Sequence, residues 1–515
     1  MDVIQSLLGG FSIALQPLNL FLAFIGVLLG TVIGMLPGIG PINGIAILIP
    51  ITFALALNPT SMLILFAGIY YGSQYGNSIS TILLNVPGTS SSVATALDGY
   101  EMSKQGRAGP ALAISAIASF IGGTLAVVGL MFFAPLLAQW AIEFGPAEYF
   151  VLIIFTFSML SALTGKNFVK GLIATVFGLM LATIGLDPGT GIPRYTFGML
   201  ELYDGLDFVV VTIGFFAVSE VFMLIEQSRA GQETMQKVGR VMISGKEFAA
   251  SWWVMIRSSV LGFLVGVLPG AGATIASFMA YSVEQRIVDR DKTFGAGDIR
   301  GVAAPESANN ASVSGALIPL LTLGVPGSGT TAVILGALLA LNLTPGPLFI
   351  SQNPDLFWGL VASMYIGNVM LLVLNLPLVG VFVKILLVPR WILVPAVATI
   401  SYIAVYAVNS SSFDLILMTG FGVVGYLMRK MAYPVAPVIL ALVLGPLMET
   451  NLRRALSLAD GDWTILFSSP LAIGLWVMVV LSIALPILTR TTPVDALAPK
   501  DADKTLDRDD VPPHS

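Results

Sequence analysis

Apolar residues in this chain run in long blocks, without the alternation of a half-buried strand. Most blocks reach the roughly 20 residues a helix needs to cross a bilayer. They predict helices over roughly 60–86, 110–138, 146–163, 171–188 and 207–226. A second set follows over roughly 308–341, 356–382, 391–407, 413–428 and 432–447, with a last helix near 465–488. Polar residues gather in the joins, chiefly Gln227 to Lys246, Glu284 to Arg300, and Thr491 to Ser515. The last of these, rich in Asp, Pro and Lys, reads as a disordered tail. The fold class implied is an all-α polytopic membrane protein.

Helix breakers interrupt the apolar sequence at recurring places. Leu36-Pro37-Gly38-Ile39-Gly40 returns as Leu268-Pro269-Gly270-Ala271-Gly272, and Val86-Pro87-Gly88 returns as Val325-Pro326-Gly327. Such breaks free backbone groups that lipid cannot satisfy, so they must face protein or a water-filled cavity. Paired breaks in corresponding halves of a membrane chain point to a transporter's binding site. Aligned on the first signature, Gly30 and Gly34 fall opposite Gly262 and Gly266. Aligned on the second, Gly72-Ser73 and Gly76 fall opposite Ala311-Ser312 and Gly315; further on, Ala118-Ser119 pairs with Ala362-Ser363.

Lysine and arginine favour cytoplasmic loops, and their placement tests how the halves are oriented. Repeat one is basic at Lys104, Arg107, Lys166 and Lys170, whereas the matching stretches Leu341 to Asp355 and Asn409 to Asp414 carry no basic residue. Repeat two is basic at Arg286 to Arg300, Lys384 to Arg390 and Arg429-Lys430; the counterparts of the first two, Ile51 to Ser61 and Ala138 to Glu148, carry none. Basic and neutral loops have exchanged places, as inverted repeats require. The organisation expected is repeat one over 1–226, a cytoplasmic linker over 227–249, repeat two over 250–448, a C-terminal transmembrane segment over 449–490, and the tail over 491–515. Each repeat is then a re-entrant or broken-helix hairpin followed by about five spanning helices, with one extra C-terminal helix. This path puts the N-terminus outside and the tail inside. Arg453-Arg454 is its one misfit, falling outside.

Composition narrows the chemistry. The chain is 56% hydrophobic and 10% charged, against the roughly 25% charged usual in soluble domains. No lysine or arginine precedes Lys104, so the first apolar segment is expected to persist as structure and not as a cleaved signal. The absence of cysteine removes disulfides, thiol nucleophiles and thiolate metal sites, and the single histidine, His514, leaves no basis for a membrane-embedded serine triad or a two-histidine zinc helix. A net charge of −5 without a basic aromatic patch gives no reason to expect nucleic acid. Tyr203-Asp204 and Gly295-Ala296-Gly297-Asp298 resemble the motifs of intramembrane aspartyl proteases, but Asp298 lies among Arg290, Asp291, Lys292 and Arg300, in a water-facing loop. No Gly-x-x-x-x-Gly-Lys-Ser/Thr loop occurs. The chain reads as a non-enzyme with no cofactor.

Candidate site residues follow from the breaks. Half-helices meeting at mid-membrane would aim positive N-termini at an anion and exposed carbonyls at a cation, which singles out Gly38, Gly40, Gly270 and Gly272. Gly30 and Gly34 fit close helix packing instead. The second breaks continue into hydroxyls: Gly88, Thr89 and Ser90 in one half, Gly327, Ser328 and Thr330 in the other. These either cap the next helix or donate to substrate, two roles that are compatible. Amides cluster near the breaks at Asn77, Asn85, Asn309 and Asn310, and serve either a binding site or helix–helix hydrogen bonds. Asn85 and Asn310 join the substrate set. Asn77, Ser78, Glu306 and Asn309 form the candidate Na⁺ set, with Glu306 alternatively an interfacial residue. Arg257, beside Trp252-Trp253, is expected to snorkel to the headgroups.

These motifs resemble the large membrane subunit of the tripartite tricarboxylate transporter family, the TctA type. The likeness runs through Gly34-Met35-Leu36-Pro37-Gly38, Tyr71-Gly72-Ser73-Gln74-Tyr75-Gly76, Ile82-Leu83-Leu84-Asn85-Val86-Pro87-Gly88-Thr89 and Thr95-Ala96-Leu97-Asp98-Gly99-Tyr100. It continues in Gly266 to Thr274, Ala304-Pro305-Glu306-Ser307-Ala308-Asn309-Asn310-Ala311 and Leu323 to Ser328. Ser73 stands where the family pattern often has a second glycine. The resemblance implies a multi-pass transporter of the bacterial inner membrane, working with a small four-helix membrane subunit and a periplasmic substrate-binding protein. It implies uptake of small carboxylates (citrate, other di- and tricarboxylates, or aromatic acids) driven by an ion gradient, commonly Na⁺. A passive channel or a structural membrane scaffold is the alternative.

Overall fold

The computed structural model describes residues 3–36, 39–163, 168–227, 238–386 and 390–489, and these are helical almost throughout. The expected linker lies partly, and the tail from Thr491 wholly, outside the described residues. In chain order repeat one contributes α1 (Val3–Ala14), α2 (Pro17–Met35), α3 (Gly40–Ala54), α4 (Pro59–Leu84), α5 (Val93–Lys104), α6 (Ala108–Ala141), α7 (Pro146–Leu163), α8 (Phe168–Ala182), α9 (Phe208–Ile213) and α10 (Ser219–Gln227). Repeat two contributes α11 (Gly245–Val267), α12 (Gly272–Val288), α13 (Ile299–Leu323), α14 (Gly329–Ala340), α15 (Phe349–Gln352), α16 (Pro354–Asn375), α17 (Val379–Ile385), α18 (Arg390–Asn409), α19 (Ser412–Lys430) and α20 (Ala436–Leu458), before α21 (Pro470–Thr489). A two-residue antiparallel ladder, Gly185–Leu186 against Pro193–Arg194, ties off the loop after α8.

Among the described residues seven helical stretches are long and apolar enough to span a membrane: α2, α6, Phe208–Glu226, α11, α16, α19 and α20. The stretch Phe208–Glu226 joins α9 to α10 through a π-turn at Gly214–Val218. Local chemistry sets several helix starts. Pro17, Pro59 and Pro354 occupy first-turn positions where no amide is needed, Asn58 Oδ1 accepts the Ser61 amide at 2.8 Å, and Ser244 with Glu247 forms a capping box at the head of α11.

The two halves repeat at the level of atomic packing. A Cβ on Gly30 would lie 2.5 Å from the Ile69 carbonyl and one on Gly34 2.1 Å from that of Ser73; on Gly262 it would lie 2.3 Å from the Ala308 carbonyl, and on Gly266 2.5 Å from that of Ser312. These glycines therefore hold α2 on α4 and α11 on α13 in backbone contact, the packing role the sequence assigns to Gly30 and Gly34. Long helices then cross between halves. The repeat-one helix α6 packs along α13, and its repeat-two counterpart α16 packs along α4.

The helix breaks divide the chain more finely than hydropathy does. The run 308–341 is two helices, α13 and α14, because Gly324 turns left-handed (φ +67°) ahead of Pro326. Asn85, the equivalent residue before Pro87, does the same (φ +56°). A helix not anticipated, α5, follows the first of these turns; its Asp98, Glu101 and Lys104 keep it below membrane hydropathy. The run 356–382 divides into α16 and α17 around Pro377, and α20 continues past its expected end at 447 to Leu458.

Candidate functional site

All four breaks approach one cavity of about 780 Å³. Its edge is built from Ile39–Asn43 and Pro87–Ser91 of repeat one, and Gly270–Thr274 and Ser328–Thr330 of repeat two. Tyr70 and Gln74 on α4, Leu160 on α7, Phe216 in the π-turn, and Arg429 with Pro434–Ala436 complete the wall. Gly40 and Gly272, with nearly equal φ of +58° and +59°, let α3 and α12 begin immediately after the breaks with their N-termini on this space. The head of α14 opens on it as well. Helix N-termini present unpaired amides and the positive end of the dipole, so the wall favours an anion.

Hydroxyls stitch the breaks together. Ser90 Oγ and Thr274 Oγ1 are 2.7 Å apart, and Tyr70 Oη and Ser328 Oγ 3.0 Å apart, each pair joining one repeat to the other. Asn77 Nδ2 donates to Thr89 Oγ1 at 2.7 Å and to Gln74 Oε1 at 3.1 Å, and Ser91 Oγ donates to the same Gln74 oxygen at 3.0 Å. Ser328 also caps α14 by accepting the Thr331 amide at 3.2 Å, so capping and facing the cavity coincide in this residue. The two breaks of repeat two are joined directly, the Gly270 amide donating to the Gly327 carbonyl at 3.1 Å.

Of the substrate candidates, Gly40, Gly88, Thr89, Ser90, Gly270, Gly272, Ser328 and Thr330 line the cavity. Gly327 lies just behind, where a Cβ would be 2.8 Å from Ala316 Cα. Asn85 is the left-handed cap of α4, and Asn310, on α13, donates to the Glu306 carbonyl at 3.2 Å; neither lines the cavity. Gly38 lies outside the described residues.

The cation candidates fall into two networks. Asn77 belongs to the cavity group above. Glu306, fully buried on α13, accepts from Thr95 Oγ1 at 2.6 Å and Ser119 Oγ at 3.2 Å; Ser78 is reached through Ser115, whose hydroxyl lies 2.7 Å from it. The Asn309 amide group, Asn310 Oδ1 and Ser307 Oγ, all buried within four residues of Glu306 along α13, have no hydrogen-bond partner among the described residues. Buried unpartnered oxygens and a carboxylate on one stretch of helix are the donor types a hard cation takes. Six residues before the equivalent Ser73 and Ser312 stand Ala67 and Glu306, so this carboxylate has no counterpart in repeat one.

One charged side chain on the cavity wall escapes the sequence reading. Arg429, there a topology marker, lines the cavity and is bound to Glu220 on α10. The signal was Glu220 itself, an acid inside the apolar run 207–226 that required a partner. Arg257, expected at the headgroups, pairs with Glu284 through two bonds of 2.9 and 2.6 Å.

The profile of the tripartite tricarboxylate transporter TctA family matches residues 20–440. The chain belongs to this family. A TctA-family chain is a membrane transporter component, which agrees with the spanning helices and the cavity between the breaks. An uncharacterised 52.8 kDa protein of Agrobacterium vitis, from the TAR-I ttuC' 3' region, is 44% identical over 92% of this chain and 94% of its own length. A second protein from that organism, in the TAR-II ttuC' 3' region, is 45% identical over 44% of this chain and 94% of its own length. No solved structure matches.

Proposed function

We propose that this chain forms the transport path of an ion-coupled secondary transporter that imports small carboxylates across the bacterial inner membrane. The observation that carries the reading is the cavity between the four breaks, where helix N-termini, hydroxyls and Arg429, paired with Glu220, converge with no carboxylate lining the wall among the described residues. A carboxylate there receives charge-assisted hydrogen bonds, the strongest class available to it. Glu306 and the oxygens of Asn309, Asn310 and Ser307 would hold the coupling cation, Na⁺ being the ion their chemistry suits. The two repeats, inverted in the membrane, alternate access to the cavity from either face, with the N-terminus periplasmic and the C-terminus cytoplasmic. A small four-helix subunit and a periplasmic binding protein are the expected partners.

The test is uptake of a labelled carboxylate by proteoliposomes carrying the three components, with sodium and proton gradients imposed singly. Accumulation that depends on one of the gradients supports the reading. Uptake that persists unchanged after both are collapsed overturns it.

A further inference from the structure

A second cavity, of about 440 Å³, lies against the other side of the repeat-two break. Leu323, Gly324 and Val325 line it, whereas Ser328, Gly329 and Thr330 from the same turn line the first cavity. Two helices serve both spaces. On α7, Tyr149 and Ile153 face the second cavity and Leu160 the first; on α20, Leu447, Asn451 and Arg454 face the second and Ala436 the first. The step from Ile153 to Leu160 is roughly 10 Å along a helix. What separates the two spaces is the turn itself, with Val325 on the side of the second cavity and Ser328 on the side of the first.

The charge beside this cavity is unusual. Arg453-Arg454 is the basic pair that the loop pattern places on the wrong side of the membrane. Arg453 is neutralised, bonded at 2.7 Å to both Glu449 and Asp187, and Arg194 binds the same two acids at 3.1 and 3.4 Å. The Thr190 amide, with that of Gly189, holds the Asp187 carboxyl down to about 2, so the acid stays charged and Arg453 stays engaged. Arg454 makes no ion pair among the described residues, is exposed, and lines the cavity with Asn451, Gln352 and Thr344. The segments around it, 141–149 and 344–352, fall in the loops that carry no lysine or arginine. A lone guanidinium at the mouth of a largely apolar cavity focuses anions into it.

We propose that the second cavity is the far-side anteroom of the transport path, in which Arg454 captures the incoming carboxylate before the turn from Val325 to Ser328 moves aside. This rests on the first cavity being the substrate site. It also gives the basic pair a purpose: one arginine holds the outer loop and its neighbour meets the cargo.

Because the chain has no native cysteine, single cysteines report access without background. In intact cells, Gln352→Cys and Asn451→Cys are expected to react with a membrane-impermeant maleimide and to be protected by a transported acid from a panel of citrate, succinate, malate and benzoate. Arg454→Gln should lower kcat/KM for the same acid about tenfold with little change in kcat, and flatten its salt dependence, while Arg454→Lys restores most of the loss. Wild-type kcat/KM in Arg454→Gln, or labelling of Gln352→Cys and Asn451→Cys only after the cells are opened, overturns the anteroom. Failure of the wild-type chain to transport any acid of the panel with its partners overturns the underlying reading and the anteroom with it.

Discussion

Ser90 Oγ and Thr274 Oγ1 stand 2.7 Å apart across the rim of the central cavity, one from each repeat. A bond so placed closes one edge of the site, and any opening that separates the halves at this edge must break it. Ser90→Cys with Thr274→Cys puts two thiols within range of a disulfide. Oxidation is expected to lower uptake about tenfold or more relative to the same double variant reduced with dithiothreitol, while the single variants, whatever their own uptake, do not respond to oxidant. Full uptake by the oxidised pair would mean that this edge stays shut throughout the cycle.

Arg429 is the only charged side chain lining that cavity among the described residues, and Glu220 is its resting partner. Losing a charge-assisted bond worth about 1.5–3 kcal/mol should raise KM about ten- to a hundredfold in Arg429→Gln. The single change also strands a buried carboxylate at a cost of about 3–5 kcal/mol, so the double variant Arg429→Gln with Glu220→Gln is the cleaner measurement. An unchanged KM in the folded double variant removes Arg429 from recognition.

Glycine contacts make a stability prediction with built-in controls. Gly34→Ala and Gly266→Ala each drive a methyl to within 2.1 and 2.5 Å of a carbonyl oxygen, whereas Gly9 and Gly380 have nothing within 4 Å. The first pair should each lose about 1–3 kcal/mol or more, read as a lowered melting temperature in detergent, and alanine at Gly9 or Gly380 should be close to neutral.

Two variants of Glu306 distinguish the proposed ion coupling from folding. Gln keeps one acceptor oxygen for Thr95 and offers an N–H to the hydroxyl oxygen of Ser119, so Glu306→Gln is expected to insert and melt near the wild type while uptake loses its dependence on the sodium gradient. Glu306→Ala leaves both hydroxyls unsatisfied and should destabilise by about 1–3 kcal/mol for each. Retained sodium dependence in Glu306→Gln assigns the cation elsewhere.

Much of this was legible in the sequence because proline and glycine act locally. Proline alone does not end a helix, since α13 carries Pro305 and Pro319 in its interior, but the Pro-Gly pairs at Pro87 and Pro326 do follow helix ends, and their recurrence in both halves marked which ends would meet. Gly30 and Gly34 could be read as packing positions for the same reason. Three features were not local. The helix α5 is polar enough to look like loop until Tyr281 and the amides of Gly295, Gly297 and Asp298 are seen to donate to its Asp98. The cavity role of Arg429 depends on a break and an acid far away in the chain. The opposite fates of Arg453 and Arg454 depend on Asp187, which only the fold brings alongside.

Glu306 stands in one half, and Ala67 occupies its place in the other. Whatever movement the two copies make, the buried acid travels with only one of them. If the two copies exchange roles as proposed, the forms facing in and facing out hold that group in different surroundings. A duplicated architecture would then make two matching strokes; a single acid without a counterpart would make them unequal, so that the cycle run backwards would not be the mirror image of the cycle run forwards.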